Sequence, residues 1–390
     1  MILTNCAACA APLAHDAPRC VRCKTRYCNR TCQMDHWRRG HKQICKEIHR
    51  GGNAEQYHAD KKYKEAVAVA VEACADDTKG QTCYICTEAL HWKTKEGLVR
   101  GCACRGTAGF AHVSCLAEQA KILVQDILER NLDNKLDEKW VRWSTCGLCE
   151  QSYHGVVLCA LGWSSWKTYL GRPESERVRR SAMTLLGTGL YEAGHHEEQL
   201  GVLEAKLACD NRLLAAACGD NAVAADVVAR TLAAATLDTK NNMANCYEKL
   251  GRKQECLALR REVHARHMEL SGAKYDGTIN AANNLAVSLL ELGHFEEVKS
   301  LMRENIPACR RSLGADHVYM FRAHSVLAEA LCRAADATRA DLEEAVAIME
   351  DSSLRSRRVL GNTHPEHQVH RHNLDNAKET LAEFTPPAAT

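Results

Sequence analysis

Asn283-Asn284-Leu285-Ala286-Val287-Ser288-Leu289-Leu290-Glu291-Leu292-Gly293-His294-Phe295-Glu296-Glu297 is the stretch that decides the fold. A Leu- and Ala-rich run stops at Leu292-Gly293 and resumes at Phe295, as a helix, a turn and a second helix would. The pattern recurs. Leu285 and Leu327 lie 42 residues apart, as do Asn242 and Asn284, with Val326 the next register point and Leu374 following Leu327 after 47. Gly272, Gly314 and Gly361 keep the same beat. A period of this size on helical sequence means stacked helix pairs, none able to bury its face alone. The longer last interval places about five extra residues near Ala334–Arg339.

The rest of the composition agrees with helix. The chain has 390 residues, enough for two or three domains, with 46% hydrophobic and 26% charged side chains. Only 5% are aromatic and seven are proline, which favours helix over strand. The opening MILTNCAACAAP lacks the basic and apolar regions of a signal peptide. The longest apolar run, Gly155–Leu161, is far shorter than the ~18 residues of a membrane span. These features predict a soluble chain in a reducing compartment, cytoplasmic or nuclear. With 51 basic against 49 acidic residues the formal charge is +2, so no nucleic acid and no membrane is expected as a partner.

Of 22 cysteines, sixteen precede residue 160. Cys6-x2-Cys9, Cys20-x2-Cys23, Cys28-x3-Cys32 and His41-x3-Cys45 supply eight donors, enough for two tetrahedral Zn²⁺ ions. Cys83-x2-Cys86, Cys102-x-Cys104, His112-x2-Cys115 and Cys146-x2-Cys149 supply eight more. A disulfide reading of the first set strands one cysteine and leaves His41 without a role. Four Zn²⁺ on fourteen thiolates would bring the net charge to about −4. Between the sets, Tyr63, Val67, Val71 and Cys74 have helical spacing before Gly80. Cys209, Cys218, Cys246, Cys256, Cys309 and Cys332 stand singly and are expected to pack as small apolar residues. His364, His367, His370 and His372 read as a solvated helix start, and His264 and His267 as a helix surface.

Tyr27-Cys28-x3-Cys32-Gln33-x2-His36-Trp37-x3-His41-Lys42-x2-Cys45 resembles the MYND zinc finger. The resemblance implies interleaved sites, with Cys6, Cys9, Cys28 and Cys32 on one ion and Cys20, Cys23, His41 and Cys45 on the other. It also implies a packing role for His36 and a short proline-containing peptide as partner. The stretch from Cys102-Ala103-Cys104-Arg105-Gly106 to His112-Val113-Ser114-Cys115-Leu116, closed by Cys146-Gly147-Leu148-Cys149, resembles the RING-CH, or RING-variant, domain of ubiquitin ligases. That implies Cys83, Cys86, His112 and Cys115 on one ion, and Cys102, Cys104, Cys146 and Cys149 on the other. Ile85 and Leu116 occupy the positions the family uses to contact a ubiquitin-conjugating enzyme; the competing reading is that both cover the small core. The chain departs from the family in three places. Gln119 stands where a Trp is usual, Glu150 where a basic residue often follows the last ligand, and thirty residues separate Cys115 from Cys146. Ile122, Leu123, Ile127, Leu128, Leu132 and Leu136 suggest an added amphipathic helix in that interval.

Asn283-Asn284-Leu285-Ala286, Leu292-Gly293-x2-Glu296-Glu297 and Leu360-Gly361-x2-His364-Pro365 resemble tetratricopeptide repeats of the kinesin light chain type. Asn241–Glu269, Thr278–Leu313 and Val318–Leu360 are the clear repeats; Ala182–Ala208 is a weaker one and Glu366–Glu383 resembles a capping helix. The expected protein is mainly α, with two cross-braced double-zinc fingers ahead of an α-solenoid. Its segments are a MYND-type finger (1–50), a connecting helix (51–81), a RING-CH-type finger with a helical insertion (82–154), a connector (155–176), repeats (177–384) and a flexible tail (385–390). The resemblances imply a ubiquitin ligase that recruits substrate through its finger and the concave face of its repeats. The alternatives are a non-catalytic adaptor and, third, a chromatin reader. No phosphate-binding, dinucleotide-binding or hydrolase motif is present.

Overall fold

The structure is a computed structural model and describes residues 5–11, 13–14, 16–217, 222–362 and 364–384. The tail expected at 385–390 lies outside the described residues, as does Cys218. The chain divides into two compact units, Met1–Leu232 and Ala233–Thr390. Among the described residues there is no strand, and isolated bridges such as Arg19 with Arg26 and Val99 with Ala111 brace the cysteine-rich loops. Among the described residues no helix is long and apolar enough to cross a membrane.

The first unit opens with α1 (Arg30–His36) and α2 (Lys42–Arg50), joined through a kink at Gly40. Next comes α3 (Ala54–Ala73), capped by the Asn53 side chain, which accepts from the Gln56 amide at 3.0 Å. α4 (Val113–Glu129) starts immediately after His112 and carries Cys115. The residues expected to form a separate inserted helix therefore lengthen this one. Ile122, Leu123, Ile127 and Leu128 belong to α4, and Leu136 opens the five-residue α5 (Leu136–Trp140).

The stretch expected to be a connector is instead α6 (Gly155–Tyr169), of whose fifteen residues eleven are buried. A helix that is apolar on every side needs cover all round. α3, α4 and α7 (Arg177–Glu192) supply it, and α8 (His196–Ala217) packs on α7. α6 and α7 meet backbone to backbone. A Cβ at Gly189 would lie 2.8 Å from both the Cα of Cys159 and the carbonyl oxygen of Leu158, so only glycine permits this crossing. One hydrophobic core joins Tyr63 and Val67 of α3, Phe110, Val124 and Trp143 to Trp166 of α6 and Leu186 of α7. Cys83, Cys102, Cys115 and Cys146 are part of that core.

The second unit takes in the end of α9 (Ala222–Lys249), then α10 (Lys253–Ser271), α11 (Asp276–Glu291), α12 (Phe295–Leu313), α13 (Val318–Arg333), α14 (Arg339–Leu360) and α15 (Pro365–Glu383). Each helix from α10 packs on the next, and α11 touches α13 as α13 touches α15. This is the stacking of helix pairs, built on Leu285, Leu289, Met302, Leu327 and Met349. Gly293 reverses the chain between α11 and α12 at φ +78°. The residues that lengthen the last interval form the α13–α14 connection, which ends in a reciprocal cap between Thr338 and Asp341.

Several buried polar side chains of this unit are paired. Arg260 of α10, 5% exposed, donates to the Asn284 carbonyl at 2.8 Å and the Ser288 hydroxyl at 2.7 Å, and forms an ion pair with Glu248. Two of the four histidines expected at a solvated helix start are buried: His367 and His370 are 4% and 1% exposed. Their Nδ1 atoms meet the hydroxyls of Ser356 at 3.1 Å and Ser325 at 3.0 Å, and His324 meets Ser352 at 2.6 Å.

Burial holds the His324 imidazole down at about 4, against 6.5 in an exposed chain. The unfolded chain then binds the proton first, so the contribution of neutral His324 is complete above pH 6.5 and is lost as pH falls towards 4. Between pH 7 and pH 5 this is worth about 2 kcal/mol. Hydrogen exchange of the α13 amides should show that loss in the wild type and a smaller one in His324→Gln; equal losses would contradict it.

Candidate metal centres

Every cysteine among the described residues is free, yet fourteen of them, with His41 and His112, fall into four tight groups. The groups are Cys6, Cys9, Cys28 and Cys32; Cys20, Cys23, His41 and Cys45; Cys83, Cys86, His112 and Cys115; and Cys102, Cys104, Cys146 and Cys149. In each, the four donor atoms lie within 4.8 Å of one another. Zn–S bonds of about 2.3 Å in a tetrahedron place sulfurs about 3.8 Å apart. The observed Sγ separations include 3.6 Å for Cys9 and Cys28, 3.8 Å for Cys20 and Cys45, and 3.8 Å for Cys104 and Cys146. A disulfide needs about 2.05 Å. The spacing is that of ligands around an ion.

The local backbone explains why these residues converge. Cys6, Cys20, Cys83 and Cys146 each donate their N–H to the carbonyl five residues on, at 2.7–3.0 Å, and each carbonyl accepts from the N–H four residues on, at 2.8–3.1 Å. The fourth residue along, Ala10, Lys24, Thr87 or Glu150, is left-handed, with φ between 58° and 64°. Such a knuckle turns both cysteines of a Cys-x2-Cys pair inward and aims backbone N–H groups at the first sulfur. The amides of Ala8, Ile85 and Leu148 lie 3.4–3.5 Å from the Sγ of Cys6, Cys83 and Cys146. Gly109 allows a closer approach on the fourth group, since a Cβ there would stand 2.9 Å from the Sγ of Cys104 and 3.3 Å from that of Cys102.

The electrostatics call for a cation. The Gln151 backbone N–H leads in lowering the Cys149 thiol to about 7, whereas burial leads in pushing Cys45 up to about 12. Thiols this close cannot all ionise alone, and a divalent ion at the centre removes the conflict. The histidines are arranged to ligate as neutral rings. Burial lowers both His41 and His112. His112 presents Nδ1 to Cys86 at 3.4 Å and Cys115 at 3.6 Å, while its Nε2 donates to the Ala89 carbonyl at 3.4 Å, which fixes the tautomer. His41 presents Nε2 to Cys23 at 3.3 Å. His36 is not in any group: its ring stacks on His41 at 4.8 Å and pairs with the Tyr27 hydroxyl at 3.0 Å.

Residues 6–45 match the MYND finger, residues 83–126 the RING-variant domain, and residues 232–306 and 327–366 tetratricopeptide repeats. The chain combines a MYND finger, a RING-variant domain and tetratricopeptide repeats. The RING-variant match ends within α4, and the fold brings Cys146 and Cys149 back from beyond it to complete the fourth group. A rice protein, ubiquitin C-terminal hydrolase 15 of Oryza sativa subsp. japonica, is 51% identical over 44 residues, which are 11% of this chain and 4% of that protein. Solved structures with similar helices include a kinesin light chain with nearly identical TPR-like repeats from Podosopora anserina, at 17% identity and a TM-score of 0.41, covering 55% of this chain and 90% of that one. Another is BtubC from P. vanneervenii, at 14% identity and 0.37, covering 71% and 95%. The donor sets and both finger matches make this a zinc-binding protein with four sites.

The RING-variant domain separates the two residues expected to contact a conjugating enzyme. Leu116 is 5% exposed and packs in the core of the unit, because α4 turns it inward beside Val113 and Ala120. Ile85 stands at the knuckle tip, 36% exposed. It borders a groove of about 410 Å³ whose other walls include Trp92, Gln119, Ile122 and Leu123. Trp92 had no assigned role from the sequence. The available signal was His91-x2-Thr94-Lys95, whose spacing copies Cys20-x2-Cys23-Lys24 without its thiols.

Proposed function

We propose that the protein is a ubiquitin ligase of the RING-variant type, in which the groove at Ile85 holds a ubiquitin-loaded conjugating enzyme. The observation that carries the reading is the pairing of a full ligand set at both RING-variant sites with an apolar groove fixed beside one of them. A RING-type domain forms no covalent intermediate; it orients the thioester for attack by a substrate lysine, so its chemistry is positioning. The zinc knuckle supplies rigidity. Ile85 donates its backbone N–H to the Cys83 thiolate and leaves its side chain to the surface.

In this reading the MYND finger, whose first fifty residues carry ten basic and three acidic side chains, binds a short proline-containing peptide. The concave face of the repeats takes a peptide or protein substrate. The second reading is a non-catalytic adaptor, favoured by Glu150, which follows the last ligand in a left-handed conformation and places a carboxylate there. Ubiquitin discharge from a panel of loaded conjugating enzymes tests the choice. The ligase reading predicts acceleration by the zinc-loaded wild type and a loss of about tenfold or more in Ile85→Ala, which keeps all four ions. No acceleration across the panel would leave the adaptor.

A further inference from the structure

Trp92 is the most exposed large hydrophobic side chain of the RING-variant domain, at 68%. Its backbone is nevertheless fixed. The His91 amide donates to the Glu96 carbonyl at 3.0 Å, the Lys95 amide donates to the His91 carbonyl at 2.9 Å, and Lys95 is left-handed at φ +58°. Those are the features of the four zinc knuckles, repeated where no thiol is present. His91 and Thr94 take the two ligand positions and bond to each other: the Thr94 amide donates to His91 Nδ1 at 3.1 Å, and its hydroxyl lies 2.9 Å from the same atom. This turn is closed by a hydrogen-bonded histidine instead of an ion. It holds an indole out into solvent beside Ile85.

The charged side chains around Trp92 are mainly basic, with the carboxylate of Glu118 lining both neighbouring spaces. The apolar groove shares His91, Trp92, Ser114 and Glu118 with an adjoining cavity of about 850 Å³. Lys93, Lys121 and Lys167 line that cavity against one lining carboxylate, Glu118. Lys121 pairs with Glu118 at 3.2 Å, and Lys167 stands 3.7 Å above the Tyr63 ring and 3.9 Å from Asp60. Among the described residues no carboxylate pairs with Lys93. An occupant that buries an apolar side chain between Ile85 and Trp92 therefore meets lysines next to it.

We infer that Trp92, on its metal-free knuckle, is the second wall of the docking groove, and that the groove selects a conjugating enzyme presenting an apolar side chain flanked by carboxylates. The inference rests on the ubiquitin-transfer reading above and names the kind of enzyme that reading requires. A rigid aromatic loses little entropy on contact and excludes water from its neighbours, which makes it an anchor. The lysines add selectivity and association rate, both sensitive to salt.

The test uses the full zinc-loaded chain and a panel of conjugating enzymes that differ in charge around the apolar side chain of their docking loop. Binding and ubiquitin discharge are measured together. Trp92→Ala is expected to weaken binding by about tenfold or more with four zinc ions retained, and Leu90→Ala, exposed on the approach to the same turn but outside the groove, to leave it unchanged. Lys93→Glu with Lys121→Glu is expected to turn the preference from acidic to basic members of the panel. If Ile85→Ala abolishes binding while Trp92→Ala and the charge reversal change nothing, the inference falls and the ubiquitin-transfer reading stands. If no member binds the wild type, both fall.

Discussion

Excess chelator under reducing conditions is expected to unfold more of the chain than its two fingers. Hydrogen exchange should lose protection across residues 6–45 and 83–149, and also in α3, α6 and α7, while α10 to α14 keep theirs. The reason is the shared core. Cys83, Cys102, Cys115 and Cys146 pack in the same cluster as Tyr63, Trp166 and Leu186, so releasing the ions loosens the loops that cover α6. Zinc contributes roughly 10–16 kcal/mol to small metal-organised folds, as much as the whole stability of an ordinary domain. The MYND finger has still less apolar core to fall back on, with Tyr27 and Ile48 set among its cysteines. The helices of the second unit are built on Leu, Ala and Met, and among the described residues none of the four ligand groups lies there. Full protection of α6 and α7 in the metal-free chain would show that the helical part of the first unit stands alone.

Arg260→Ala should be the most damaging single substitution of a charged side chain in the second unit. It removes donors to the Asn284 carbonyl and the Ser288 hydroxyl on α11, and strips the partner from Glu248 on α9. Removing the buried guanidinium leaves its acceptors unsatisfied at a cost of about 1–3 kcal/mol, and losing the Glu248 pair adds less than a fully buried pair would, because that carboxylate is 31% exposed. Arg260→Lys is expected to recover only part of this, since an ammonium cannot span the same acceptors as a planar guanidinium. Urea unfolding, followed through amide exchange in α9 to α11, measures the loss. A cost below about 1 kcal/mol would mean that the neighbouring packing holds these helices without the pair.

The ligand sets and the repeats were the most legible parts of the sequence, because each depends on spacing along the chain. A Cys-x2-Cys pair closes locally into a knuckle, and a period of 42 residues places Leu285 and Leu327 on equivalent turns. Features that depend on distant partners were not legible. His367 and His370 looked solvated because the serines that receive them, Ser356 and Ser325, lie on α14 and α13. Leu116 was open to a contact reading and a core reading because its position follows a ligand, and the facing of α4, which buries it, is set by the core behind it. The helix at Gly155–Tyr169 showed no amphipathic period for the good reason that it has no solvent face, with even Ser164 and Ser165 buried. Trp92 was hidden differently. Its turn keeps the spacing of a zinc knuckle, but His91 and Thr94 stand where the thiols would be, and the hydrogen bond between them closes it in place of an ion.

Both fingers owe their shape to the ions held by their four ligand groups, and metal content with thiol accessibility tests this directly. Native mass spectrometry of the full chain, freshly purified without chelator, should give one species carrying four Zn²⁺. Its fourteen ligand cysteines should resist alkylation until chelator is added. Fewer than four ions together with freely alkylated ligand cysteines, or disulfides among them, would contradict the account.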